Sequence, residues 1–348
     1  LLLLSIIGYG LFFSNKLTSH NNFLKKEISL GYIGIFGIFF SVLISYITIL
    51  ITAHNNLHNI IFILIGNLFF WYFFIRSEKK FINKYFIYSY LLSFFAIFHF
   101  KSHDDFSYYH LSSILNLTQN KIEFGIHHFD IAFNHVSSLF YFHSLFKTVF
   151  TEDFFYQIGP LGIIIFTNTI ILEKILNKKN NEYLDLSFYL NIFLFIFINI
   201  FFYRLAEHGT DRSAQILFFL IFIMFVELVE KRKFSNNIFE IIIIILFLII
   251  SFKSFYILYS FPLFFIYLKY FKVKDFFEIM KRFSVIYLCI LSFFLMLIHN
   301  VATSGCLIYP VVSTCFENFF WGYGKENVVS AMQWYELWSK ARASPSYR

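Results

Sequence analysis

The sequence predicts an all-α protein that crosses a membrane many times. Of its 348 residues, 58% are hydrophobic and 24% aromatic, while only 14% are charged. The mean hydropathy of +0.67 is well above that of an ordinary soluble domain. Apolar runs recur along the whole chain, and a helix of about 20 apolar residues spans a hydrocarbon core of about 30 Å. We therefore expect one polytopic helical protein embedded in a bilayer.

About ten apolar runs are the predicted transmembrane helices. They cover residues 1–13, 28–51, 57–75, 81–100, 154–173, 184–203, 213–230, 236–252, 254–270 and 283–300. The last long block, 239–270, is divided at Lys253 because a lysine is costly at mid-membrane and tolerated at a helix end. Gly31, Gly34 and Gly37 within the second run are expected to allow close helix packing.

The basic residues predict the orientation. Cytoplasmic loops of membrane proteins carry an excess of lysine and arginine, and 18 of the 28 such residues here fall in alternate loops. These are Lys16, Lys25, Lys26, Arg76, Lys79, Lys80, Lys84, Lys174, Lys178, Lys179, Lys231, Arg232, Lys233, Lys269, Lys272, Lys274, Lys281 and Arg282. The other set of loops is longer yet holds only ten. We therefore expect a multi-pass protein of the cytoplasmic (inner) membrane, with most of its acidic and histidine residues facing outward.

Two regions follow from this topology. Residues 1–300 form the predicted transmembrane domain, which includes an outer loop at 101–153. Residues 301–348 form an outer-face segment. The chain begins without Met and stops in mid-pattern, so we expect it to be a piece of a longer protein. The net charge of +7 is explained by the cytoplasmic loops, and with no nucleic-acid motif in the chain the expected partner is the lipid bilayer.

The outer loop is expected to contain a helix that lies in the membrane interface. If the chain continues as a helix over Phe106–Leu117, then Phe106, Tyr109 and Ile114 share one apolar side. We expect that side to face lipid.

The most unusual polar stretch is KSHDDFSYYH at residues 101–110. Asp104 and Asp105 are adjacent acids in a chain that holds few, and His103 and His110 flank them. A partly desolvated carboxylate at a membrane surface suits a general base or a metal ligand. The alternative is that both acids are solvated charges at a helix end.

A second polar stretch, RLAEHGTDR, occupies residues 204–212. Thr210 is expected to cap a helix whose first turn holds Asp211, and Glu207 adds a second acid. The stretch also contains Arg204, His208 and Arg212, and Lys253 is expected to lie near it. At the outer membrane level, arginine and lysine can hold a phosphate or pyrophosphate. The alternatives are a helix cap with an Arg–Asp pair and snorkelling membrane anchors.

Cys306 and Cys315 flank Pro310 in the outward-facing segment. An oxidising compartment would permit a disulfide between them. Cys289 falls inside a predicted helix, where packing is its expected role. The residues that follow the cysteine pair are expected to form an amphipathic interfacial segment, marked by Trp321, Trp334, Tyr335 and Trp338.

Taken together, these features resemble the GT-C superfamily of polytopic membrane glycosyltransferases. The likeness lies in an arrangement: many helices, an acid pair in the first long outer loop, further acids in a later outer loop, and basic residues at the outer surface. The chain is also similar to bacterial membrane proteins with HDDFxYYH and EHGTDR stretches, here beginning at His103 and Glu207. In GT-C enzymes the key acid usually follows the first helix, whereas about four precede it here.

The resemblance implies a reaction and a set of roles. GT-C enzymes transfer sugar from a polyprenyl-phosphate-linked donor, here to an acceptor on the extracytoplasmic face. Asp104 or Asp105 would act as base or position a divalent metal, with Glu207 and Asp211 as further acids. The substrate-binding candidates are His103, His110, Arg204, His208, Arg212 and Lys253. Two alternatives stay open: a transporter or flippase of a lipid-linked saccharide, and an outer-face metal-binding or sensory protein.

Overall fold

The structure is a computed structural model that describes residues 1–16, 28–76, 82–97, 105–151, 157–177, 185–201, 210–231, 236–270 and 284–340. Within these residues the regular elements are helices, and an isolated β-bridge joins Cys306 to Cys315. The α-helices are α1 (Leu2–Lys16), α2 (Leu30–Thr48), α3 (Asn56–Arg76), α4 (Lys84–Ile97), α5 (Leu111–Gln119), α6 (Ser138–Ser144), α7 (Ile158–Leu176), α8 (Leu186–Phe201), α9 (Thr210–Lys231), α10 (Asn236–Phe252), α11 (Ile257–Tyr270), α12 (Ser284–Ser304) and α13 (Lys325–Ser339).

Each of the ten predicted apolar runs coincides with one helix. The predicted division at Lys253 is confirmed, because α10 ends at Phe252 and a 3-10 turn at Ser254–Tyr256 leads into α11. Among the described residues, α2, α3, α7, α9 and most of α12 are long and apolar enough to cross a membrane. The chain is therefore an α-helical membrane protein, and the count of ten spans stays a prediction.

Glycines bring the first helices together, as predicted. A Cβ added at Gly37 would lie 1.9 Å from the carbonyl oxygen of Ile6 in α1. At Gly31 and Gly34 an added Cβ would lie 2.3 Å from the carbonyl oxygen and from the ring of Phe166 in α7, respectively. Real side chains do not approach so closely, so the bare backbone of α2 is what lets α1 and α7 pack against it.

Polar contacts place several helix ends together at one end of the bundle, which we name the Lys174 end. Lys174 Nζ in the last turn of α7 lies 2.6 Å from Glu227 Oε2 in the last turns of α9. The carboxylate of Glu230 accepts hydrogen bonds from the backbone N–H groups of Leu186 and Ser187 at the start of α8. Thus α7 and α9 run in the same direction, and α8 runs opposite to them.

The opposite end, which we name the Lys253 end, holds residues 105–151. There the end of α2 meets α12, because His299 Nε2 lies 3.1 Å from the carbonyl oxygen of Tyr46. The end of α10 meets α6, where Ser138 Oγ donates a 2.7 Å hydrogen bond to Ser251 Oγ. Helix α9 begins at this end, where Asp211 pairs with Lys253.

Helix α6 is a short element inserted among the long helices at the Lys253 end. All seven of its residues are buried, and it packs against α2, α5, α7 and α10. Polar side chains anchor it: Ser45 Oγ donates to the carbonyl oxygen of Tyr141 at 2.7 Å, and His54 Nδ1 lies 2.6 Å from Ser144 Oγ. These buried bonds fix α6 directly after the segment that carries Tyr109 and His135.

The predicted helix in the outer loop is present, but its predicted exposure to lipid is wrong. A π-helical turn at Phe106–His110 runs directly into α5. Phe106 and Ile114 are 8% and 1% exposed and belong to the protein core, while the Tyr109 ring packs against Phe140 of α6. The physical reason is that an apolar helix side buries equally well against lipid or against protein, and α6 is the protein surface available here.

The predicted disulfide between Cys306 and Cys315 is confirmed. We name residues 305–340 the disulfide module; it contains α13. Trp321 Nε1 donates to the carbonyl oxygen of Val301 at 3.2 Å, which attaches the module to the end of α12. In helix α13, Val328 is fully buried while Trp334 and Trp338 are 58% and 62% exposed; its place in the membrane interface stays a prediction.

Candidate functional site

The structure describes half of the ten predicted catalytic and substrate-binding residues. Asp105, His110, Asp211, Arg212 and Lys253 are among them, and all lie at the Lys253 end. The remaining five lie outside the described residues: His103, Asp104, Arg204, Glu207 and His208.

Asp211 and Lys253 form an ion pair that joins the start of α9 to the α10–α11 connection. The Asp211 Oδ1 to Lys253 Nζ distance is 3.0 Å, with the side chains 51% and 36% exposed. Helix α9 begins at Thr210, one residue before the predicted start, so Asp211 occupies its first turn. A carboxylate there interacts favourably with the helix dipole. Arg212 follows in the same turn and is half-buried.

Asp105 and Asp211, one from each predicted polar stretch, both act electrostatically on Tyr109. Burial raises the pKa of the Tyr109 phenol above its ordinary value, and the negative charges of Asp105 and then Asp211 raise it further. Asp105 directly precedes the π-helical turn that carries Tyr109. Two acids 106 positions apart in the chain therefore act on one phenol, which stays protonated and able to donate a hydrogen bond.

His135 belongs to the same cluster as Tyr109, Asp105, Asp211 and Lys253. It was not among the predicted site residues. Its Nε2 lies 2.6 Å from the hydroxyl of Tyr335 in α13, and its ring centroid lies 5.4 Å from that of Tyr109. Burial lowers the pKa of His135 to about 4, and the positive charge of Lys253 contributes to the shift. The imidazole is therefore neutral near pH 7.

Tyrosines of the disulfide module close one side of the cluster. The rings of Tyr309 and Tyr335 lie 5.7 and 5.6 Å from that of His135. Burial raises the pKa of the Tyr335 phenol, and the neighbouring Tyr309 raises it further. Asn134, next to His135, is buried on the same side. The module thus supplies neutral hydrogen-bonding groups, while α9 and the α10–α11 connection supply the charges.

His110 faces the protein interior. It is 3% exposed, and its ring lies 4.4 Å from that of Tyr109 and 5.0 Å from that of Phe140. This placement supports the position of Tyr109. A direct contact between His110 and substrate stays a prediction.

A small open cleft adjoins the cluster. It is lined by Ser113, Asn116, Leu117, Lys121, Ile122, Glu123, Ile126, Phe133, His135, Val136, Phe140, Tyr141 and Thr303. His135 is the residue shared between the cleft and the charged cluster. A ligand in the cleft would therefore lie next to His135, which contacts Tyr109 and whose pKa is lowered further by the charge of Lys253.

Metal binding was predicted as one role for the acids and histidines. In the part of the chain that the structure describes, no three histidine, cysteine, aspartate or glutamate side chains come together as ligands. The predicted candidates His103, Asp104, Glu207 and His208 lie outside that part. The divalent metal therefore stays a prediction.

Tyr109, His135 and Tyr335 were not predicted as site residues, because the sequence signals for them are weak. Tyr109 lies inside KSHDDFSYYH, and His135 is one of six histidines in the predicted outer loop. Tyr335 was noted only as an interfacial aromatic residue. Single tyrosines and histidines are common in helical membrane proteins, and only folding brings these three together.

The fold and the cluster define a helical membrane protein with acidic, basic and phenolic groups gathered at one end of its bundle. Residues 1–347 match a family described as a domain of unknown function, DUF8201, and the chain belongs to that family. No curated protein matches the chain. No solved structure matches it.

Proposed function

We propose that the protein is a membrane glycosyltransferase that transfers a sugar from a polyprenyl-phosphate-linked donor to an acceptor on the extracytoplasmic face. The observation that carries the proposal is the convergence of Asp105 and Asp211 on Tyr109, with Lys253 paired to Asp211. An acid at this position can act as general base, and a lysine can stabilise the charge that builds on a lipid-phosphate leaving group.

The proposal puts the Lys253 end outside and the Lys174 end in the cytoplasm, with ten membrane-spanning helices. Contacts between α1 and α2 support this arrangement: an added Cβ at Gly10 would meet Ile33, and one at Gly37 would meet Ile6, so the two helices are antiparallel. Lys16 at the end of α1 therefore lies toward the Lys174 end, as the predicted orientation requires.

In the proposed mechanism, Asp105 or its neighbour Asp104 takes the proton of an acceptor hydroxyl. That oxygen attacks the anomeric carbon of the donor sugar while the bond from this carbon to the lipid phosphate breaks, which inverts the configuration. General base catalysis of this kind contributes about 10²–10⁴-fold. The protonated Tyr109 phenol donates a hydrogen bond within the same cluster.

The cations act on the leaving group. Negative charge builds on the lipid phosphate as the glycosidic bond breaks, and fixed positive groups stabilise that charge in a partly dehydrated site. Lys253 is the described group best placed for this role, because Asp211 orients its ammonium at 3.0 Å. Arg212 in the same helical turn is the second candidate.

A transporter or flippase fits the described helices less well. Transporters usually place ionisable groups near the bilayer midplane. In the five longest apolar helices that the structure describes, the aspartates, glutamates, lysines and arginines fall within five residues of a helix end. A metal-binding or sensory role is tested separately by metal analysis of the purified protein.

The test is substitution of the acid pair. We expect Asp105→Asn, alone or with Asp104→Asn, to lower sugar transfer from polyprenyl-phosphate-linked donors by about 100-fold or more, because the base is lost. The measurement is incorporation of labelled sugar into envelope glycan in cells, with release of prenyl phosphate by the purified protein.

The matched control is Glu326→Gln, which removes an exposed acid from the first turn of α13 in the disulfide module. It should transfer sugar like the wild type. Full activity in the Asp104→Asn, Asp105→Asn double variant would exclude the proposed mechanism.

A further inference from the structure

We infer that the cleft beside His135 binds a neutral saccharide and is the acceptor side of the site, separate from the cationic phosphate side at Lys253. This inference rests on the proposed function, which requires an acceptor hydroxyl near Asp105. It adds the chemical class of the acceptor and the residues that would hold it.

The walls of the cleft suit a sugar ring. The lining holds the partly exposed ring of Phe133, the largely buried rings of Phe140 and Tyr141, and the hydrogen-bonding groups of Ser113 and Asn116 of α5. A pyranose needs both kinds of contact, since its ring has apolar C–H faces and a rim of hydroxyl groups.

The orientation of Asn116 is fixed by the neighbouring turn. Asn120 Nδ2 donates a 2.8 Å hydrogen bond to Asn116 Oδ1, and the backbone N–H of Asn120 donates to the Asn116 carbonyl oxygen at the end of α5. A side chain held in place loses less conformational entropy when a ligand binds. Asn116 is thus preorganised at the cleft wall.

The charges in the cleft favour a neutral ligand over a phosphate. Lys121 and Glu123 lie two residues apart in its lining, so an anion attracted by one is repelled by the other. His135 is held neutral by burial. The cationic groups suited to a phosphate are Lys253 and Arg212, neither of which lines the cleft.

The cleft and the cationic side at Lys253 meet at His135. It lines the cleft, its ring contacts Tyr109, and the charge of Lys253 acts on it. An acceptor hydroxyl at this side of the cleft would therefore lie beside the phenol on which Asp105 and Asp211 converge. This is the position that transfer to that hydroxyl requires.

The experiment measures glycoside binding by the purified full chain in lipid nanodiscs, using saturation-transfer difference NMR. The probes are methyl glucoside, methyl galactoside and methyl N-acetylglucosaminide, with geranyl phosphate as competitor. The cleft variants are Asn116→Ala and Phe133→Ala, each paired with a control of the same residue class nearby. The controls are Gln119→Ala on α5 and Phe129→Ala, which is 88% exposed; neither residue lines the cleft.

We expect at least one neutral glycoside to bind the wild type and both controls, and each cleft variant to bind it about tenfold more weakly, a loss of about 1.4 kcal/mol. Geranyl phosphate should leave the glycoside bound. The inference is overturned if no glycoside binds, if both cleft variants bind like their controls, or if geranyl phosphate displaces the glycoside.

A further variant separates this inference from the proposed function. Asp105→Asn should lose transfer and keep glycoside binding. If it keeps transfer as well, alone and together with Asp104→Asn, the proposed mechanism fails while the saccharide site stands. If binding is absent while transfer by the wild type is intact, only the assignment of the cleft fails.

Discussion

His135 is the residue that contacts or adjoins each part of the candidate site. Its imidazole contacts the Tyr335 hydroxyl of the disulfide module, the ring of Tyr109 and the cleft, and it lies within reach of the Lys253 charge. A protonated imidazolium at this position would extend the positive charge of Lys253 to the cleft, so that a phosphate would be attracted there as well. The low pKa of His135, about 4, therefore keeps the cationic side and the cleft electrically distinct near neutral pH.

Substitution of Lys253→Met should raise the pKa of His135. Removing the ammonium removes a repulsion of the imidazolium, but burial is the larger cause of the low pKa. The value should therefore rise from about 4 and stay below the ordinary 6.5. Titration of isotope-labelled histidine by NMR measures it, with Lys147→Met in the same loop region as control. An unchanged pKa in the Lys253 variant would show that the lysine does not act on His135.

The low pKa of His135 also determines how the stability of the folded protein depends on pH. The folded protein holds His135 neutral, whereas the unfolded chain takes up the proton near pH 6.5. This group therefore contributes stability that is fully present above pH 6.5 and is lost as pH falls toward about 4.

Rarity of charge drew attention to charged residues that the structure places at one end of the bundle. Asp105, Asp211 and Lys253 stand out in a chain that is only 14% charged. The sequence could not supply Tyr109, His135 and Tyr335 as a group, because their contacts link positions 26 to 200 residues apart. Non-local contacts of this kind leave no local pattern.

At the level of elements, the glycines of α2 determine how tightly the first helices pack. Gly37 is the sharpest case, since an added methyl group would lie 1.9 Å from a carbonyl oxygen of α1. Backbone cannot move aside as the end of a flexible side chain can. We expect Gly37→Ala to destabilise the protein by about 1–3 kcal/mol through overpacking.

Thermal unfolding in detergent, followed by loss of the monodisperse peak in size-exclusion chromatography, measures this effect. Gly162→Ala in α7 is the matched control, because its added methyl group would find its nearest neighbour at an ordinary 3.5 Å. The control should unfold at or above the temperature of the wild type. Equal behaviour of the two variants would show that the α1–α2 contact is looser than described.

Sequence patterns predicted the long helices well and the short buried one not at all. Every apolar run became a helix because a backbone in lipid must satisfy its own hydrogen bonds. Helix α6 has seven residues and includes Ser138, His143 and Ser144, so no hydropathy window detects it. Its presence also explains the wrong prediction for Phe106 and Ile114, which bury against protein and not against lipid.

For the whole molecule, helix direction and charge agree. The described ends of α1, α3, α7 and α9 carry Lys16, Arg76, Lys174 and Lys231, and the contacts between these helices place all four toward the Lys174 end. The cleft, the Asp105 and Asp211 carboxylates and the disulfide module gather at the other end. A disulfide forms and persists in an oxidising compartment, which is the side where the basic loops predict the Lys253 end to lie.

Reporter fusions test this orientation and the number of spans together. Alkaline phosphatase is active only outside the cytoplasm, and a fluorescent protein folds efficiently only inside. Fusions after residues 122 and 253 should show phosphatase activity, while fusions after 180 and 233 should fluoresce.

The fusion at 253 is decisive for the span count, because α10 and α11 have only 17 and 14 residues. These lengths correspond to about 26 and 21 Å at 1.5 Å per residue. Phosphatase activity there, with fluorescence at 233, would mean that α10 crosses a locally thinned bilayer. Fluorescence there would reverse the side of Lys253 and remove the cationic group from the proposed extracytoplasmic site.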